Sequence, residues 1–172
     1  MNLPDAEELF ETLVTRLRSR VTPDTGIVGI VTGGAWLAER LHRALGVQTP
    51  LGMLDPSFYR DDFSKAGLHH QVKPSRIPFE VEGRRVLLVD DVLYTGRTVR
   101  GAMNELFDYG RPARIELAVL VDRGGRELPV EAQCVSARLE VPPGKVLVLD
   151  RAPSGALSLT LSDKRRERKV TR

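Results

Sequence analysis

Asp90 and Asp91 stand side by side at the end of the apolar run Val86-Leu-Leu-Val89, and Tyr94-Thr-Gly-Arg-Thr98 follows closely. Two ionised carboxylates accept hydrogen bonds from neighbouring hydroxyls, so the pair suits the vicinal diol of a sugar. Thr95, Gly96, Arg97 and Thr98 offer the opposite chemistry. Backbone N–H groups at a helix start, two hydroxyls and a guanidinium all favour an anion. Gly96 is free to take a positive φ that lets amides converge on phosphate oxygens. The continuous segment Asp90, Asp91, Val92, Leu93, Tyr94, Thr95, Gly96, Arg97 and Thr98 is therefore expected to bind a phosphorylated sugar. A bare Asp-Asp pair would more simply end a strand, and a lone Thr98 would simply cap a helix; the full string argues for the ligand.

The elements that must position this segment are legible on either side of it. Four apolar residues in a row, Val86 to Val89, predict a strand buried on both faces, which in a doubly wound sheet delivers its C-terminal end to the ligand crevice. Val99, Ala102, Met103, Leu106 and Phe107 form the apolar stripe of the helix that follows, closed by Gly110. Earlier in the chain, Leu9, Phe10, Leu13, Val14 and Leu17 recur at helical spacing. Glu7 and Glu8 precede them and Arg16, Arg18 and Arg20 follow, as the helix dipole prefers. Ile27 to Val31 reads as a buried strand, Thr32-Gly33-Gly34 as a turn, and about Ala35 to Leu45 as a helix stopped by Gly46. Ile115 to Val121 is a further strand. Strands alternating with helices predict a parallel sheet with right-handed crossovers. Three short β-rich runs near Gln133, Lys145 and Leu157, separated by Pro/Gly turns, are expected as strands at the edge.

Length and composition set the bounds. At 172 residues the chain suits one domain, drawn as 1–161, followed by a basic tail at 162–172. That tail holds six basic and two acidic side chains, so the net charge of +3 is local and the remainder is close to neutral. No apolar run approaches the about 18 residues of a membrane span, and the N-terminus is acidic and amphipathic, unlike a signal peptide. The expectation is a cytoplasmic protein without a membrane partner. Cys134, the single cysteine, reads as core filler and not as a nucleophile. Residues 55–76 form a long polar stretch holding Tyr59, Arg60, Asp61, Asp62, His69 and His70, and such a stretch in a compact domain suits a lid.

The run from Val86 to Thr98 resembles the 5-phosphoribosyl 1-diphosphate (PRPP) signature of type I phosphoribosyltransferases: apolar strand, two acids, then Thr-Gly-x-Thr. The resemblance implies an α/β fold with a mostly parallel twisted sheet flanked by helices and a small β-rich hood region over the nucleobase. It implies that Asp90 and Asp91 hold the ribose diol, that residues 95–98 hold the 5'-phosphate, and that Thr32, Gly33 and Gly34 form the pyrophosphate loop. Mg²⁺ would arrive with PRPP, with no metal fixed by the protein. Purine-specific members usually place an acid where Tyr94 stands, so Tyr94 points away from a purine.

Leu54-Asp55, Phe58 to Asp62, Gly110-Arg-Pro112 and Leu120 to Pro129 narrow the resemblance to the branch that joins uracil phosphoribosyltransferase activity to pyrimidine gene regulation. For this branch the implied substrates are PRPP and uracil, and the product is UMP. Arg60 belongs to the lid and joins Asp90 and Asp91 as a catalytic candidate, while Asp122 and Arg123 lie in the nucleobase loop. A pyrimidine operon leader RNA is the implied macromolecular partner, with Arg16, Arg18, Arg20, Arg100, Arg111 and Arg114 as candidates for its surface. A homodimer or higher homo-oligomer is expected. Three positions depart from the family pattern: Gly33 replaces a common arginine, Gly125 replaces a common histidine, and Val135 to Leu139 replaces a Gly-Lys-Asn stretch. The alternatives left open are a catalytically weak sensor of UMP and PRPP, and a purine or orotate phosphoribosyltransferase.

Overall fold

The computed structural model describes residues 2–59 and 75–163. Arg60, Asp61, Asp62, His69, His70 and residues 164–172 lie outside the described residues.

α1 (Ala6–Leu17) opens the chain, capped by Asp5, whose carboxylate accepts from the N–H groups of Glu7 and Glu8. β1 (Gly26–Ile30) and α2 (Gly33–Ala44) form the first strand-helix unit, followed by β2 (Gly52–Leu54) and a 3-10 turn at Pro56–Tyr59. β3 (Arg85–Leu93), α3 (Arg97–Asp108) and β4 (Arg114–Asp122) form the second unit, and β5 (Cys134–Arg138) completes the sheet. Sheet order is β2-β1-β3-β4-β5 with every neighbouring pair parallel. The chain moves outward from β1 to β2, then returns to β3 on the other side of β1. The direction of winding reverses there, and ligands of open α/β sheets bind at such a reversal.

The apolar strands bury both faces because successive side chains alternate across the sheet. Leu87 and Val89 join Leu13, Leu17, Leu37 and Leu41 beneath α1 and α2, whereas Val86 and Leu88 join Val99, Ala102 and Leu106 beneath α3. Cys134 is buried in the first of these layers, and burial raises its thiol pKa. Of the three short β runs, β5 extends the main sheet as its outer strand, joined to β4 by residues 123–133 without a helix. The other two pair as an antiparallel hairpin, β6 (Lys145–Arg151) and β7 (Leu157–Asp163). β7 reaches Asp163, two residues past the boundary expected for the tail, and Asp163 meets Lys145 Nζ at 2.6 Å. No helix among the described residues is long and apolar enough to cross a membrane.

Candidate active site

β1 accompanies β3 only as far as the Gly29–Val89 pair, whereas β4 continues alongside it to the Leu93–Asp122 pair. The acids therefore lie within β3, not at its end, on the stretch where one edge has lost its neighbour and faces the turn after β1. A cavity of about 790 Å³ opens at this edge. Its walls are residues 31–33 and Trp36, residues 90–99, Arg123 with Glu127, and residues 146–150 of the hairpin.

Asp90 is buried, and its Oδ1 accepts from the Asp91 N–H at 3.0 Å; Asp91 Oδ1 accepts from the Val92 N–H at 2.9 Å. These short-range bonds set the aim of both carboxylates. α2 begins at Gly33, two residues earlier than expected, so its N-terminus lies beside Asp91. A Cβ on residue 33 would overlap the Asp91 carboxylate, which is why the backbone and the acid can approach so closely there. The helix dipole at this end favours the carboxylate and any further anion brought beside it.

Gly96 caps α3 with φ of 89°, the left-handed conformation anticipated for this turn. The turn is fastened to the loop after β4. Arg97 Nε meets Glu127 Oε2 at 2.6 Å, while the Thr95 carbonyl accepts from Glu127 N at 2.9 Å and from Leu128 N at 3.1 Å. Arg123 stacks on the Tyr94 ring at 4.1 Å and donates to the Lys145 carbonyl at 3.4 Å, joining the turn to the hairpin. Its Nε is buried without a hydrogen-bond partner among the described residues.

Thr32, Gly33, Asp90, Asp91, Val92, Leu93, Tyr94, Thr95, Gly96, Arg97, Thr98 and Arg123 are thus brought to one cavity. Gly34 is not on its wall; it packs behind it against the Val89 carbonyl. Asp122 is also off the wall, its Oδ1 accepting from Gly124 N at 3.0 Å and its Oδ2 from Arg126 at 2.6 Å. Burial pushes the Asp122 carboxyl pKa up, but the bonds from Arg126 and Gly124 outweigh it and hold the group below its ordinary value. Tyr59 ends the 3-10 turn. Trp36 and Glu127 were not anticipated, whereas the hairpin residues 146–150 fall in the β-rich region from which the hood was expected. Trp36 lies one helical turn beyond Gly33, a signal that was present.

The six arginines proposed for an RNA surface do not share one face of the chain. Arg16 and Arg20 extend from the α1 side, where Arg16 donates to the Val135 carbonyl and Arg20 meets Glu116 at 3.1 Å. Arg114 reaches the same Glu116 at 3.1 Å, and Arg100 belongs to α3 on the opposite side of the sheet.

A model of the phosphoribosyl transferase domain matches residues 6–146. This chain belongs to that family. Among its relatives is the bifunctional protein PyrR of Ralstonia nicotianae, 53% identical over 156 residues that cover 88% of this chain and 89% of that protein. The bifunctional protein PyrR of Pseudomonas syringae pv. syringae is 49% identical over 163 residues, covering 92% and 96%. The chain is a phosphoribosyltransferase of the bifunctional PyrR type. A solved hypoxanthine-guanine phosphoribosyltransferase from Bacillus anthracis superposes with a TM-score of 0.65 at 18% identity, covering 81% of this chain and 84% of the other. The enzyme of Leishmania tarentolae solved with GMP gives 0.59 at 18% identity, covering 81% of each chain. At that identity these two likenesses speak for the phosphoribosyltransferase fold alone.

Proposed function

We propose that the cleft transfers a phosphoribosyl group from PRPP to uracil, giving UMP and pyrophosphate. One observation carries the reading: a carboxylate pair and an amide-rich helix start line the same cavity, with a second helix N-terminus alongside. In this reading Asp90 and Asp91 accept from the ribose hydroxyls, residues 95–98 hold the 5'-phosphate, and Thr32 with Gly33 receives the leaving pyrophosphate. Bond breaking at the sugar's C1 builds positive charge on the ring and negative charge on the leaving group. The carboxylate pair, Asp90 buried and Asp91 partly so, favours the first and the α2 N-terminus the second. Tyr94, stacked on Arg123, supports a pyrimidine at the base position, and the lid residues Tyr59, Arg60, Asp61 and Asp62 would exclude water.

Mg²⁺ enters this scheme as part of the substrate. Among the described residues no group of three or more His, Cys, Asp or Glu side chains is placed to hold a metal ion. Asp90 and Asp91 are hard oxygen donors on the cavity wall and would be the protein groups that such an ion meets. Carried in with PRPP, the ion would neutralise charge on the departing pyrophosphate.

The regulatory half of the proposal is that the UMP-bound protein, a cytoplasmic homodimer or higher oligomer, binds a pyrimidine operon leader RNA. Because the arginines sit on different faces of one chain, an RNA surface would have to be assembled across subunits. The deciding experiment measures uracil-dependent PRPP consumption and UMP formation. Activity in the wild type that falls at least about a hundredfold in Asp90→Asn/Asp91→Asn supports the enzyme; PRPP binding without any UMP formation would falsify it. Thermal shifts with UMP, GMP and OMP separate the pyrimidine reading from the purine and orotate ones. A gel-shift series with leader RNA, in which affinity drops with salt and rises with UMP, tests the regulator.

A further inference from the structure

Arg126 is off the cavity wall, yet its guanidinium joins three separate segments around it. Nε donates to the Val130 carbonyl at 2.9 Å, NH1 to the Tyr94 carbonyl at 2.8 Å, and NH2 to Asp122 Oδ2 at 2.6 Å. A planar guanidinium spreads its five donors over three nitrogens in a fixed fork and here uses all three, whereas an ammonium carries its three donors on a single nitrogen. Asp122 is itself buried and anchored by the Gly124 N–H, so the fork is braced against a fixed point in β4.

The Tyr94 carbonyl matters because of what shares its peptide plane. In a trans peptide the carbonyl of one residue and the N–H of the next point in opposite directions. Val31–Thr32 is the cis bond found among the described residues, so the planes after Tyr94 and Thr95 are trans. Gripping the Tyr94 carbonyl from the Arg126 side therefore turns the Thr95 N–H away from that loop. The Thr95 carbonyl, bonded to Glu127 N and Leu128 N, does the same for the Gly96 N–H. Thr95 and Gly96 both line the cavity, and neither amide donates to an acceptor among the described residues.

We propose that Arg126 is a positioning residue for the anion cradle, aiming the Thr95 amide into the cleft by holding the Tyr94 carbonyl against Asp122. It touches no substrate. The inference rests on the phosphoribosyl reading of the cleft and deepens it, tying a ligand's phosphate, but not its base or sugar, to a side chain outside the wall. Phosphorylated and unphosphorylated forms of one nucleoside should then respond differently to its loss.

The test is calorimetric binding of UMP, PRPP and uridine to the wild-type chain, Arg126→Ala and Arg126→Lys, with melting curves to establish that each variant is folded. UMP and PRPP should bind Arg126→Ala at least tenfold more weakly, while uridine changes by less than twofold. Equal weakening of UMP and uridine would show a structural role only and overturn the proposal, as would unchanged UMP affinity. If Arg126→Ala does not fold, Arg126→Lys decides. It keeps the charge but not the fork, so UMP should weaken at least threefold relative to uridine, and an unchanged ratio overturns the proposal. A wild-type chain that binds neither UMP nor PRPP removes the underlying phosphoribosyl reading instead, a result distinct from a variant that retains them.

Discussion

At the residue scale, the site depends on a few groups whose conformations are set by immediate neighbours. Gly96 is the clearest: its type announced a left-handed turn, and φ is 89°. Alanine there incurs the left-handed penalty of about 1–2 kcal/mol. Its Cβ would also lie 3.1 Å from Val130 Cβ, tighter than ordinary packing. Gly96→Ala should therefore lower the melting temperature and weaken PRPP binding together, as thermal shift with and without PRPP would show. Asp122 was equally visible as an acid at a strand end, but its Arg126 and Gly124 partners were not, because they are chosen by how the loop folds back. Its depressed pKa has a definite sign. The folded state releases the Asp122 proton more readily than the unfolded chain, so the stabilisation is fully present above the ordinary carboxylate value of about 3.9. It is lost as pH falls through the lower folded value. Melting temperatures followed from pH 6 downward should begin to drop near about pH 4, and Asp122→Asn should show a shallower drop.

At the element scale, β1, β3 and β4 were legible because strands covered on both faces carry runs of consecutive apolar residues, and α3 because one face alone is covered. The hairpin was harder. β6 and β7 alternate weakly, and the contacts that seat them come from far along the chain. Glu7 at the start of α1 accepts the Leu157 N–H at 2.7 Å while taking the Arg40 guanidinium at 2.9 and 2.6 Å. Arg151 stacks over Trp36 at 4.9 Å and meets Glu39 at 3.2 Å. The Arg40 hydrogen bonds outweigh burial and lower the Glu7 pKa, so this clasp too is intact near neutral pH and weakens on acidification. Glu7→Gln should loosen the hairpin, which supplies one cavity wall without reaching the reacting bond. The expected kinetic signature is a KM raised several-fold with kcat nearly unchanged, measured against uracil at saturating PRPP.

At the scale of the whole molecule, two apolar layers share one sheet, so neither survives alone. Leu88 is fully buried in the α3 layer, while Trp36, the single tryptophan, and Cys134 report from the α1 and α2 side. Leu88→Ala should cost about 2–5 kcal/mol. Because the layers are coupled through β3, the loss should appear equally in Trp36 fluorescence, far-UV circular dichroism and the denaturant concentration at which the Cys134 thiol becomes reactive. Separate midpoints would show two independent units. What the sequence alone determined were the features that a residue and its near neighbours decide: buried strands from apolar runs, the helices between them, the acid pair and the glycine turn. Tertiary structure alone decided that β1 stops short of the acids, which residues of the β-rich region close one wall, that Asp122 is taken up by Arg126, and that the arginines fall on different faces. These outcomes rest on contacts between segments distant in the chain, whose free energies depend on the packed geometry and leave no local periodicity to be read.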